Sequence, residues 1–121
     1  MSENIVLDKS FAFAVRVVKL YQYLCNEKKE YILSKQLLRC GTSIGANINE
    51  AQAAQSTKDF IAKLSIASKE TREALYWIEL LIKTNYIDET KQYVLSFKND
   101  AIELSKLLTS IIKTSQEKEI K

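Results

Sequence analysis

The feature that most restricts this chain is its lack of punctuation. Its 121 residues contain no proline and only two glycines, Gly41 and Gly45, which fall in one short stretch. Hairpin turns need residues that tolerate positive φ, so such a chain cannot be folded through the many tight corners of a sandwich or barrel. An all-α protein is left. With 46% hydrophobic and 27% charged side chains, the chain is ordinary globular material. It is long enough for residues 1–121 to form a single domain with a core that needs no disulfide or structural metal. Histidine is absent, and with it go the commonest general base, histidine-dependent triads and zinc sites with imidazole ligands. The expectation is a protein that is not an enzyme and holds neither metal nor cofactor.

Charge adds little direction. The 18 basic and 15 acidic side chains give a net charge of +3. They are spread evenly, with 5 and 4 in residues 1–30, 2 and 1 in 31–56, 5 and 4 in 57–85, and 6 and 6 in 86–121. No segment is a basic arm. The first residues, Met1 to Ile5, lack the basic and apolar regions of a secretory leader, and no apolar run reaches the roughly 18 residues of a membrane span. A cytoplasmic protein with no membrane partner is expected, its Cys25 and Cys40 reduced and filling core positions.

Hydrophobic periodicity predicts four helices, at about 8–27, 34–54, 57–84 and 88–115, with residues 116–121 frayed. Asp8 or Ser10 would cap the first. Ser56-Thr57-Lys58-Asp59 reads as a capping box for the third, Asn85 as its left-handed end, and Asp88 as the cap of the fourth. Helices of this length make an elongated up-down bundle. Apolar stripes at steps of three and four run through Leu33, Leu37, Cys40, Ile44, Asn47 and Ala51, then Phe60, Leu64, Ala67, Thr71, Ala74, Ile78 and Leu81. A further stripe joins Val94, Phe97, Ala101, Leu104, Leu108 and Ile111.

The first helix carries two stripes. Phe11, Ala14, Val15, Val18, Tyr21 and Cys25 lie on one side, and Phe13, Val17, Leu20 and Leu24 on the other. One must be core and the other needs a partner, and spacing does not say which. The set Phe13, Val17, Leu20 and Leu24, joined by Ile66, Trp77 and Leu80 of the third helix, is assigned to self-association.

Within the second helix the chain reads Arg39-Cys40-Gly41-Thr42-Ser43-Ile44-Gly45-Ala46-Asn47-Ile48-Asn49-Glu50-Ala51. Glycine costs about 1 kcal/mol relative to alanine inside a helix, so two of them four apart point to a neighbouring backbone in close contact. Asn47 falls on the apolar stripe and is expected to hydrogen-bond another helix and fix alignment. Gly41-x-x-x-Gly45 follows no strand and is not a nucleotide loop. Glu70 and Glu73 lack the histidines of a di-iron bundle. Tyr76 and Trp77, near Lys69, Arg72 and Lys83, suit an oligomer interface better than base stacking.

The segment Ser43-Ile44-x-x-Asn47-Ile48-x-Glu50, with Arg39 before it, resembles the signature of the four-helix bundle family encoded in intervening sequences of bacterial 23S rRNA genes. Phe60 to Ala67 and Lys69 to Trp77 are similar to its third-helix pattern, and the resemblance spans roughly residues 8–112. It implies a left-handed, antiparallel up-down-up-down bundle and a ring-shaped homopentamer. The family includes the accessory protein of diversity-generating retroelements, which works with a reverse transcriptase and RNA. The resemblance therefore implies RNA, DNA or a nucleic-acid enzyme as partner. Lys9, Arg16 and Lys19, between the two stripes of the first helix, are the candidate nucleic-acid contacts. Two readings stand: a non-enzymatic oligomeric adaptor that engages nucleic acid or its enzymes, and a protein-interaction module with no nucleic-acid role.

Overall fold

The computed structural model describes residues 2–120, with side chains described for 5–120. Four helices account for nearly all of it: α1 (Ser2–Lys28), α2 (Leu33–Ala51), α3 (Thr57–Lys83) and α4 (Gln92–Ile120). Helix α2 packs on α1 and α3, and α4 packs on α3 and closes against α1, so each helix has two neighbours around a common core.

The helix ends follow local chemistry. Ser56 is extended and its hydroxyl accepts the Asp59 N–H at 3.0 Å, while the Asp59 carboxylate accepts the Gln55 N–H at 3.2 Å. This is the reciprocal capping box expected from the sequence. Asn85 takes a φ of 68°, which lets the Tyr86 N–H turn back to the Leu81 carbonyl at 2.9 Å and end α3. Lys29 (φ 53°) does the same for α1, where the Glu30 N–H reaches the Leu24 carbonyl at 3.0 Å.

Other boundaries differ from expectation. Neither Asp8 nor Ser10 caps α1, which begins at Ser2 and carries Val6 into the core. Ser10 is buried inside the helix and donates back to the Leu7 carbonyl at 2.9 Å. Helix α2 stops three residues early, as Gln52, Ala53 and Ala54 bond to carbonyls three positions back and lead into the Ser56 cap. Asp88 does not cap α4. Its carboxylate accepts from the Thr90 N–H at 2.9 Å and hydroxyl at 2.7 Å, fixing a turn ahead of Gln92. The tail expected to fray is helical to Ile120, because nothing in it breaks a helix, and Lys121 lies outside the described residues.

The start of α2 rests on a buried acid in the link that follows α1. Glu30 is buried, and its carboxylate accepts the N–H groups of Ile32, Leu33 and Ser34 at 3.0, 2.9 and 2.7 Å. The Ser34 hydroxyl returns a bond to the Glu30 carbonyl at 2.8 Å. One side chain thereby satisfies three of the orphan donors of a helix N-terminus and sets a negative charge at its positive end.

The core settles which side of α1 faces inward. Phe13, Val17 and Leu24 are buried within the single chain, and Leu20 packs against the same core. Their assignment to a subunit interface is therefore corrected. Phe13 stacks on Phe97 of α4 with ring centroids 5.0 Å apart, and Val17 presses on α2 where Gly41 leaves room. The opposite stripe is the surplus one: Phe11 is 71% exposed, Val15 40% and Val18 38%. On α2 the buried line runs Leu37, Cys40, Gly41, Ile44, Ile48 and Ala51, so Ile48 holds the core position expected of Asn47.

Burial opposes ionisation of Glu30, but the three backbone N–H bonds outweigh it and hold the carboxyl below its usual value. A depressed carboxyl contributes stability above its unfolded pKa and loses it as pH falls through the folded one. Glu30→Gln should therefore cost about 1–2 kcal/mol at neutral pH. In urea melts at neutral and acid pH, that gap should shrink below the ordinary glutamate range of about pH 4.

Candidate functional site

The signature residues of α2 gather along its seam with α3. Ile44 and Ile48 point into the core, and the polar members face outward over the neighbouring helix. Arg39 reaches Glu70 at 3.5 Å and pairs closely with Glu73, whose carboxylate also accepts the Trp77 indole N–H at 3.0 Å. Further along, Glu50 pairs with Lys63 at 3.2 Å. Between these anchors the Asn47 amide donates to the carbonyl and hydroxyl of Ser43, at 2.9 and 3.0 Å. Asn47 thus braces its own helix. The expected bond to another helix is absent because the residue sits one step off the buried line, within reach of the turn behind it.

This seam aligns helices. The nearest thiol, Cys40, is buried, and burial together with the Glu73 charge pushes it up to about 12, so it stays protonated and inert at neutral pH. Among the described residues no three His, Cys, Asp or Glu side chains come together in a way that could hold a metal ion.

The three cations nominated on α1 have separate fates. Arg16 is held by α4: its guanidinium donates to Asp100 at 2.7 Å, to the Tyr93 carbonyl at 2.7 Å and to the Ser96 hydroxyl at 3.0 Å, and lies 5.4 Å over the Phe97 ring. Lys9 pairs with Glu103 at 3.2 Å. Lys19 is exposed and lines a groove of about 340 Å³ with Arg16, Leu20, Tyr23, Tyr93 and Phe97. Two of the three candidate nucleic-acid contacts are thus engaged in joining α1 to α4. Of the surface residues named on α3, Ile66 is exposed, while Trp77 and Leu80 are half-buried.

Residues 2–110 match the family described as 23S rRNA-intervening sequence protein. The chain belongs to this family. A solved structure, that of a protein of unknown function from the S23 ribosomal protein family of Bacteroides thetaiotaomicron, is 58% identical. The match covers 93% of this chain and 99% of that one, with a TM-score of 0.88. No curated protein matches.

The 23S rRNA-intervening sequence signature therefore maps onto a packing device, its isoleucines inward and Arg39 and Glu50 across to α3, and the two glycines interleaved with it face α1. A Cβ at Gly45 would come 3.3 Å from the Ser10 carbonyl oxygen, the close backbone approach expected from the sequence. A Cβ at Gly41 would come 2.7 and 2.9 Å from the two γ-carbons of Val17. Asp100 and Ser96, which hold Arg16, carried no signal in the sequence, because they lie 84 and 80 residues away along the chain. The Glu73–Trp77 bond was legible as an i, i+4 pair.

Gly41→Ala is expected to cost about 1–3 kcal/mol, since its clash with a β-branched core side chain exceeds the roughly 1 kcal/mol gained in helix propensity. Gly45→Ala should be close to neutral in the same denaturation series. A double-mutant cycle checks the cause: Gly41→Ala should cost less in a Val17→Ala background than in the wild type.

Proposed function

We propose that this member of the 23S rRNA-intervening sequence family is a non-enzymatic adaptor that works as a homo-oligomer in the cytoplasm. Five copies is the number implied by the sequence resemblance, as is a left-handed bundle in up-down-up-down order. Links of four and five residues after α1 and α2 support that order. So does the register of the cross-links, in which Arg39 pairs with Glu70 and Glu50 with Lys63. The two free cysteines suit a reducing compartment, and among the described residues no helix is long and apolar enough to cross a membrane.

The observation that carries the assembly reading is the outward stripe of α1. Phe11, Val15 and Val18 lie exposed in a row, with Ala14, Tyr21 and Cys25 half-buried beside them. The stripe runs about 21 Å along the helix, longer than the scattered apolar residues of an ordinary monomer surface. Covering it with a second copy removes that area from water. The interface proposed is thus the stripe opposite the one assigned from the sequence, joined by Ile66 on α3.

The adaptor reading takes nucleic acid, or an enzyme acting on it, as the assembled protein's partner. The α1–α4 face supports that part weakly, because Arg16 and Lys9 already have acidic partners there. The same observation favours a second reading for that face, a protein-interaction surface with no nucleic-acid role.

Light scattering at micromolar concentration should show an oligomer, and Phe11→Glu with Val15→Glu should reduce it to smaller species with helical content unchanged. Phe13→Ala should instead cost about 3–5 kcal/mol of stability as a core truncation. A monomeric wild type would remove the assembly reading.

A further inference from the structure

Helix α3 sorts its charges by face. It carries five basic and four acidic residues, and every acid has a partner in the fold. Glu70 and Glu73 face Arg39, Glu79 pairs with Lys98, and Asp59 caps a backbone N–H. One cation, Lys63, goes to Glu50. The other four, Lys58, Lys69, Arg72 and Lys83, are exposed, and among the described residues no carboxylate lies within ion-pair distance of them. Lys83 acts on Glu79 only at longer range, behind the bond from Lys98.

These four positions are not scattered. At 3.6 residues per turn they fall within an arc of about 60° and trace a line about 38 Å long on the outward side of α3. Tyr76 lies in that arc, 61% exposed, with its ring edge-on to Trp77 at 5.0 Å. A shallow groove at its foot is lined by Ser68, Lys69, Arg72, Glu73 and Tyr76. The Glu73 carboxylate there is already held by Arg39 and Trp77.

We propose that this outward stripe of α3 binds single-stranded RNA, with Lys58, Lys69, Arg72 and Lys83 along the phosphates and Tyr76 as a stacking platform for a base. The inference takes from the adaptor reading only that the partner is a nucleic acid, and it needs no oligomer. An unpaired row of cations selects a polyanion. The exposed aromatic in the middle of the row selects one that carries planar rings, which acidic proteins and lipid surfaces do not present in series. A straight helix face with one such ring suits an unstacked single strand, and the half-buried hydroxyls of Ser65 and Ser68 beside the cations can meet a ribose 2′-OH.

The test is fluorescence anisotropy of labelled oligouridine against the full chain, across a salt series from about 50 mM. Circular dichroism and light scattering are run on the same samples. Micromolar binding that weakens with salt is expected. Lys69→Gln with Arg72→Gln should weaken it and flatten the slope of log K against log salt by about 1.4, the share of two phosphate contacts to a single strand. Tyr76→Leu should weaken binding about fivefold or more with the slope unchanged. Lys35→Gln with Lys113→Gln, which removes the same charge from exposed positions on α2 and α4, should leave binding nearly intact.

The proposal is overturned if wild type does not bind at low salt, if the α2–α4 pair of substitutions costs as much as the α3 pair, or if Tyr76→Leu costs nothing. It is also overturned if oligodeoxythymidine, polyglutamate or phosphatidylserine vesicles bind as tightly as RNA. A monomer that binds RNA through the stripe keeps this site and ends the assembly reading. An oligomer that binds none does the reverse.

Discussion

The approach of α1 to α2 at the two glycines is the contact on which the rest of the bundle depends. Val17 fits against Gly41 and the Ser10 turn against Gly45, and a methyl group at Gly41 would push the helices apart. With Val17 pinned there, Phe13 is carried inward onto Phe97, and Phe11, Val15 and Val18 are carried outward. Which half of α1 is core follows from a missing side chain on its neighbour.

The polar signature of α2 is then best understood as alignment. Arg39 and Glu50 grip α3 about three turns apart along α2, with Ser43 and Asn47 tied to each other between them. Exposed ion pairs of this kind contribute little stability singly. Two of them about three turns apart on one helix do fix its register against the next one. Arg39 also engages Glu70 and Glu73 on the side of α3 that meets α2, which leaves the outward row of Lys58, Lys69, Arg72 and Lys83 without a paired carboxylate among the described residues.

Much of the fold was legible because it depends on local rules. The capping box at Ser56, the left-handed turn at Asn85 and the three-four stripes of α3 and α4 each involve residues within a turn or two of one another, and each appears where the sequence put it. What was not legible depended on distant partners. Two stripes of equal spacing on α1 could be told apart only through Gly41 and Phe97. Nothing in the run Glu27-Lys28-Lys29-Glu30 marks Glu30 as the acid that the turn at Lys29 aims at the start of α2. Arg16 and Lys9 looked free because their acids lie on α4. On the site itself, the sequence found the signature and the small-residue contact, and misplaced Asn47 by one step of the helix.

The Arg16 cluster bears on the order in which this molecule comes together. It joins residues 84 apart in the chain, with the whole of α2 and α3 lying in the loop it closes. The α1–α2, α2–α3 and α3–α4 seams each join helices linked by a few residues and can zip from their connections, whereas the α1–α4 seam has no connection to start from. Closing so long a loop carries an entropy cost until the intervening pairs are already docked. This seam is therefore expected to close last and, with no nearby link to hold its partners, to be the first of the four to open.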